Sequence, residues 1–308
     1  MARVAEELMA ELRRQGYPAR VVSVDRVASL EEQIADLHAA WAFDEAFFHD
    51  RLAWFRFQPP ENLPHTQSVI VAAVPRPQTR AVFTRRGRRR ALILPPTYTA
   101  YNRIQEQFEE MVAELLSHDG YSWARTMKPL AVRRGLGEYG RNNLCYVPGM
   151  GSFLQLVAVY SDLRYEEIEW RNPVRMEQCE GCDLCQRACP TGAIAADRFL
   201  LHGDRCLVYH NEKPGAVPFP AWLAASWHNC VVGCMQCQRV CPPNQAFLGW
   251  VGAEEEFSEA ETAALLTGGP AESLPASVYT KLQRLRLDEY LDSLPRNLAI
   301  FFTAPQRA

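Results

Sequence analysis

No stretch of this 308-residue chain reaches eighteen consecutive apolar residues, so no transmembrane helix and no membrane partner is expected. The opening segment, MARVAEELMAELRRQ, reads as an amphipathic helix without the apolar core or cleavage site of a secretory signal, which argues for a cytoplasmic protein and against a disulfide framework. Lysine and arginine number 33 against 36 aspartates and glutamates, and the resulting charge of −3 gives no global attraction to nucleic acid. The local exception is TRRGRRR, where Arg85, Arg86, Arg88, Arg89 and Arg90 crowd together between two short strand-like segments joined by an Arg-Gly turn. Such a run is either a solvated hairpin tip or a contact for phosphates. A hydrophobic fraction of 48% is enough for a real core, in one large or two modest domains.

Cysteine is what the chain has in a pattern. Eight of its ten cysteines fall in two runs, Cys179-x2-Cys182-x2-Cys185-x3-Cys189-Pro190 and Cys230-x3-Cys234-x2-Cys237-x3-Cys241-Pro242. A [4Fe–4S] cube needs four thiolates at tetrahedrally disposed corners, and a cysteine at every third residue wraps three of them around one cube. The fourth, three residues on, ligates the neighbouring cube. Zinc has use for paired C-x2-C motifs but none for a third cysteine followed by x3-Cys-Pro. A thioredoxin-like C-x-x-C occurs once, beside a βαβ pattern, and not as two longer copies. Crossed ligation gives one cluster Cys179, Cys182, Cys185 and Cys241, and the other Cys189, Cys234, Cys237 and one more. Spacing alone leaves that last ligand open between Cys206 and Cys230. Cys145, far upstream, reads as a buried small apolar residue.

Elsewhere the periodicity predicts helices over 2–16 and 30–57, the latter with Ile34, Leu37, Trp41 and Phe48 at helical spacing, and buried strands in HTQSVIVAAVP and SFLQLVAVYSDL. Between those strands an amphipathic helix carries Ile104, Phe108, Met111, Val112 and Leu115 and ends at Gly120. The segment that follows, KPLAVRRGLGEYGRNNLCYVPGMGSF, places Gly135, Gly137, Gly140, Gly149 and Gly151 close together. Either these glycines admit a bulky ligand close to backbone, or they are turns packed beside the cysteines. Gly135-x-Gly137-x-x-Gly140 follows no strand of a βαβ unit, so it is weak as a dinucleotide motif. Tyr98, Tyr101, Asn102, Arg125, Lys128, Tyr139, Arg141 and Asn142 are the polar candidates for a cofactor or substrate pocket.

The glycine-rich segment followed by CEGCDLCQRACPTGAI, DRC and GCMQCQRVCPPN resembles the cobalamin-dependent double-cluster reductases, namely epoxyqueuosine reductase and its reductive dehalogenase relatives, most strongly over residues 128–245. The resemblance implies an α/β (α+β) fold. A flavin-reductase-like, corrinoid-binding domain would span 1–170, a ferredoxin-like module with two [4Fe–4S] clusters 171–246, and a helical tail 247–308. It also implies that Cys206 completes the second cluster and leaves Cys230 a spare thiol. Cobalamin would lie against the polar candidates and Gly135, Gly137 and Gly140, fed with electrons by a donor such as ferredoxin or flavodoxin. The reaction implied is a low-potential reduction of a small organic substrate or modified nucleoside. An accessory electron-transfer protein without cobalamin is the alternative, and a short-form tRNA epoxyqueuosine reductase a third.

Two departures from the family pattern bear on the reaction. Ungapped alignment places Tyr121 where epoxyqueuosine reductases carry their catalytic aspartate, and a phenol with an ordinary pKa near 10 is a different proton donor from a carboxyl near 4. The tail has no repeat of the length with which longer family members bind tRNA, which disfavours tRNA as the substrate.

Overall fold

The computed structural model describes residues 2–40, 42–59, 61, 63–116, 127–165 and 169–303. Its first half runs α1 (Ala2–Arg14), β1 (Ala19–Ser23), α2 (Val24–Ala39), α3 (Glu45–Arg51), β2 (Ser68–Pro75), β3 (Gln78–Arg85), β4 (Arg88–Leu94), α4 (Tyr101–Leu116), α5 (Met127–Arg133), β5 (Glu138–Tyr139), β6 (Cys145–Tyr146) and β7 (Leu154–Ser161). Then follow α6 (Leu184–Ala188), α7 (Leu207–Asn211), α8 (Gln236–Arg239), β8 (Val251–Phe257), α9 (Glu259–Thr267), α10 (Ala276–Leu285) and α11 (Leu294–Thr303). The chain divides into two units, residues 1–75, 101–183 and 197–201 in the first, and 76–100, 184–196 and 202–308 in the second.

The first unit is built on an antiparallel sheet in the order β1-β2-β7. Central β2 is apolar from Val69 to Pro75 because both of its faces are covered. Val69, Val71 and Ala73 face Val27 and Leu30 of α2 and Leu130 of α5, while Ile70, Ala72 and Val74 face Leu8 and Leu12 of α1 and Phe108 and Val112 of α4. Edge strand β7 is closed by Gln105, a buried residue of α4 whose amide donates to the carbonyl of Ala158 at 3.0 Å and accepts from its N–H at 3.2 Å. The helix expected over 30–57 is two helices. Asp44 starts α3 by accepting from the N–H of Phe47 at 2.9 Å, an N-cap that interrupts the apolar periodicity; Trp41 and Gly120 lie outside the described residues.

The second unit holds a sheet in the order β4-β3-β8. The Arg-Gly turn joins β3 to β4 as expected, with Arg86 and Gly87 at φ of 50° and 70°, the paired left-handed conformation of a tight hairpin. The segment after residue 247 was expected to be helical, yet it opens with β8, parallel to β3. Glutamate favours helix, but here Glu254 and Glu256 find Arg80 and Arg89 across the sheet, and Phe257 stacks on Phe83 at 4.9 Å. Glu259 adds carboxylate contacts to the N–H groups of Arg86 and Gly87 and to the Arg85 guanidinium. Two guanidiniums of the basic run, those of Arg85 and Arg89, are thereby paired with carboxylates of the chain itself. Helices α9, α10 and α11 close the core with Leu265, Leu282 and Leu298, and Val231 and Val232 of the second cysteine run belong to it.

Candidate metal centre and its surroundings

The Cys-Pro ends of the two cysteine runs share one local conformation, and both ends lie in the second unit. Cys189 N–H bonds Gln186 O and Gly192 N–H bonds Cys189 O; at the matching positions Cys241 N–H bonds Gln238 O and Asn244 N–H bonds Cys241 O. Helices α6 and α8, which carry Cys185 and Cys237, pack against one another. The glycine before the second cysteine of each run, Gly181 or Gly233, adopts positive φ, which lets the chain turn back between two sulfurs.

Cys189, Cys206 and Cys234 come together: the Cys206 thiol interacts electrostatically with both of the others, and Cys234 with Cys189. Donors aim at these sulfurs. The Val208 N–H points at Cys206, the Gln236 N–H and the Asn229 amide at Cys234, and the Thr191 hydroxyl lies 3.4 Å from Cys189 Sγ. Burial pushes the Cys206 thiol up to about 12, and burial raises Cys234 as well, with mutual repulsion between thiolates adding to the effect. A bound cation inverts that logic, because thiolates become its ligands. Cys230 is 1% exposed, interacts with Cys234 and Arg239, and its S–H donates to Asn229. Among the described residues no three His, Cys, Asp or Glu side chains converge on a point that would hold a single metal ion.

In the first unit the glycine-rich segment is a scaffold for Cys179. It runs from α5 into the β5–β6 hairpin, and the Arg141 N–H at its tip lies 3.4 Å from Cys179 Sγ while the Arg141 guanidinium donates to Cys179 O at 2.9 Å. Tyr139 exchanges backbone bonds with Val174 and Met176, and Asn143 holds Phe199 and Leu201 through its amide. A Cβ on Gly137 would sit 2.6 Å from Tyr146 O and 2.8 Å from Cys145 Sγ, and one on Gly140 would sit 2.5 Å from the Tyr146 ring. The space these glycines leave is therefore taken by the hairpin itself.

Of the polar candidates, Lys128 donates to Asn143 O at 3.0 Å, Asn142 to the Tyr146 hydroxyl at 3.0 Å, and Tyr101 O accepts from Gln155. Gly135 has its Cβ direction filled by the Arg171 guanidinium. Tyr98 lies in the second unit, against Gly233, with its phenol pushed well up by burial and by Glu212 and Cys206. Tyr121 and Arg125 lie outside the described residues. Cys145 is buried as expected. Sequence reading missed Asn211, Arg296 and Asn297, polar residues whose partners are distant in the chain, and Asn229, whose partners are local but which no spacing rule marks.

His228 supplies a pH dependence. It is 8% exposed, stacks edge-on against Phe219, and its Nδ1 has no hydrogen-bond partner among the described residues. Burial, then Arg296 and His210, pulls it from an ordinary 6.5 down to about 4. The unfolded chain therefore takes up a proton that the folded chain refuses between those pH values, so stability is full above 6.5 and falls as pH drops toward 4, by up to about 3 kcal/mol. The expected result is a melting temperature that declines over this window less steeply in His228→Gln than in the parent. Identical pH profiles would show that the imidazole does not titrate in this way.

Residues 178–244 match the family model described as a 4Fe-4S double cluster binding domain. The epoxyqueuosine reductase of Francisella cf. novicida is 29% identical over 206 residues, 61% of this chain and 56% of that relative, so the chain spans little more than half of its length. A solved epoxyqueuosine reductase from Streptococcus thermophilus superposes with a TM-score of 0.64 at 18% identity, covering 96% of this chain and 79% of that one. Another, solved with an epoxyqueuosine-modified tRNA-Tyr stem loop, gives 0.66 at 18% identity, covering 97% and 80%. This chain thus carries a 4Fe-4S double cluster binding domain within a mixed α/β fold shared with epoxyqueuosine reductase structures.

Proposed function

We propose that this chain is an iron–sulfur reductase resembling epoxyqueuosine reductase. The observation that carries the reading is the repeated Cys-Pro turn of the two runs together with the gathering of Cys189, Cys206 and Cys234 under N–H and O–H donors. Cys189, Cys206, Cys234 and Cys237 are the proposed ligands of one [4Fe–4S] cluster, and Cys179, Cys182, Cys185 and Cys241 those of the other. When bound, the clusters would supply one-electron transfer at low potential. The chain's own part is to fix sulfur positions through short turns and to set the charge balance at sulfur through aimed donors.

The corrinoid enters through the resemblance alone. Lys128, Asn142 and Arg141, named for it, donate within the chain, and the glycine surface is filled by Tyr146 and Cys145. These groups do not form an open donor set for a corrinoid. For the substrate we favour a small organic molecule or a modified nucleoside, the latter supported by the names of the relatives. Cytoplasmic location and a ferredoxin or flavodoxin as donor complete the proposal.

Anaerobic reconstitution with iron, sulfide and cobalamin tests it. About eight irons per chain are expected, and gel filtration decides whether corrinoid is retained in stoichiometric amount. Fewer than about four irons overturns the reductase reading. Full iron with all corrinoid washed out supports an electron-transfer protein instead. Turnover of an epoxyqueuosine-modified tRNA stem loop by the loaded protein would identify the short-form tRNA enzyme.

A further inference from the structure

Asn229 sits one residue before the cysteine that the ligand sets leave over, and its amide is held by four hydrogen bonds. Its Nδ2 donates to Cys234 Sγ at 3.2 Å and to Trp227 O at 3.3 Å. Its Oδ1 accepts from the Met235 N–H at 2.9 Å and from the Cys230 S–H at 3.1 Å. A backbone N–H can only donate, so the Met235 contact fixes which end of the amide is oxygen and turns the NH2 toward the Cys234 sulfur. Cys230 adds a second donor to the same oxygen. The thiol makes this contact from a position only 1% exposed.

We propose that Asn229 is a positioning residue that raises the reduction potential of the cluster ligated by Cys234, and that Cys230 is the thiol that locks its amide in place. The inference rests on the reading of Cys234 as a ligand. One-electron reduction of a cluster by an external low-potential donor adds negative charge that spreads onto the ligating sulfurs. An N–H aimed at one of them therefore stabilises the reduced form more than the oxidised form. Cys230, unneeded as a ligand, thereby gains a role.

EPR-monitored redox titration of the anaerobically reconstituted full chain, with viologen mediators, is the test. The signal of the cluster in question is identified by its loss in Cys206→Ala. Asn229→Leu, which removes the donor while keeping the volume, is expected to retain about eight irons and to weaken reduction of that cluster about tenfold, or about 59 mV, leaving the other unmoved. The exchangeable proton coupling that the parent loses on transfer to deuterated buffer should be absent from its spectrum before the transfer. Cys230→Ala is expected to shift the same cluster in the same direction by less, and Cys230→Ser to restore it. Unchanged potentials in iron-replete Asn229→Leu would overturn the proposal. Should that variant fail to hold iron, an unshifted potential in Cys230→Ala would overturn it instead. Low iron in the parent chain would count against the reductase reading and leave a different diagnosis from either result.

Discussion

Cys206→Ala is expected to lose one of two clusters, dropping iron in the anaerobically reconstituted chain from about eight to about four atoms, whereas Cys230→Ala keeps both. Spacing could not choose between these cysteines, since each lies upstream of Cys234 and neither is three residues from it. Their surroundings differ. Cys206 begins α7, receives the Val208 N–H, and interacts with both Cys189 and Cys234. Cys230 lies deeper, 1% exposed, with its hydrogen directed to Asn229. A ligand must present sulfur to a cube with its proton gone, while a thiol that donates its hydrogen to an amide is serving another purpose. Circular dichroism of both variants separates ligand loss from unfolding. Full iron in folded Cys206→Ala with half in Cys230→Ala would exchange the two assignments.

That ambiguity marks where sequence ceased to be informative. Strand β2 was readable because a strand covered on both faces is a continuous apolar run, here Val69 to Pro75, and the β3–β4 hairpin because Arg86-Gly87 leaves few turn conformations. The cysteine runs were readable because cluster chemistry is local: three ligands come from one short segment. Strand β8 was not, because Glu254, Glu255 and Glu256 carry a helical preference that only pairing with β3 and its arginines overrides. Nor was the role of the glycine-rich segment. Five glycines close together suggest access for a ligand, yet whether the vacated volume admits one depends on where Tyr146 and Cys145 lie, which is tertiary information. Arg296 was invisible for the same reason, since its carbonyl partners lie some eighty residues upstream.

Arg296→Ala is expected to release the cysteine pair that α11 braces. The Arg296 guanidinium donates to four backbone carbonyls, those of Pro214 and Val217 through Nη1 and of His210 and Asn211 through Nη2, and lies 4.3 Å over the Phe219 ring. Asn297 beside it donates to Asn211 O and Val231 O, and Asn211 in turn donates to Gly233 O. The network ties α11 to the segment four residues after Cys206 and to the residue just before Cys234. Truncation strips donors from four carbonyls at once, and with the lost packing on Phe219 the cost is about 3 kcal/mol. A fall of roughly 5 to 10 °C in melting temperature follows, together with faster loss of iron to a chelator from the cluster proposed for Cys206 and Cys234. Arg296→Lys keeps the charge and the cation–π contact but offers a point donor where the site needs a planar fork, so it should fall between parent and alanine variant. The order matters more than the absolute shift, because loss of charge alone would leave lysine equal to the parent. An alanine variant that melts and holds iron as the parent does would show that the C-terminal helix merely covers the sheet.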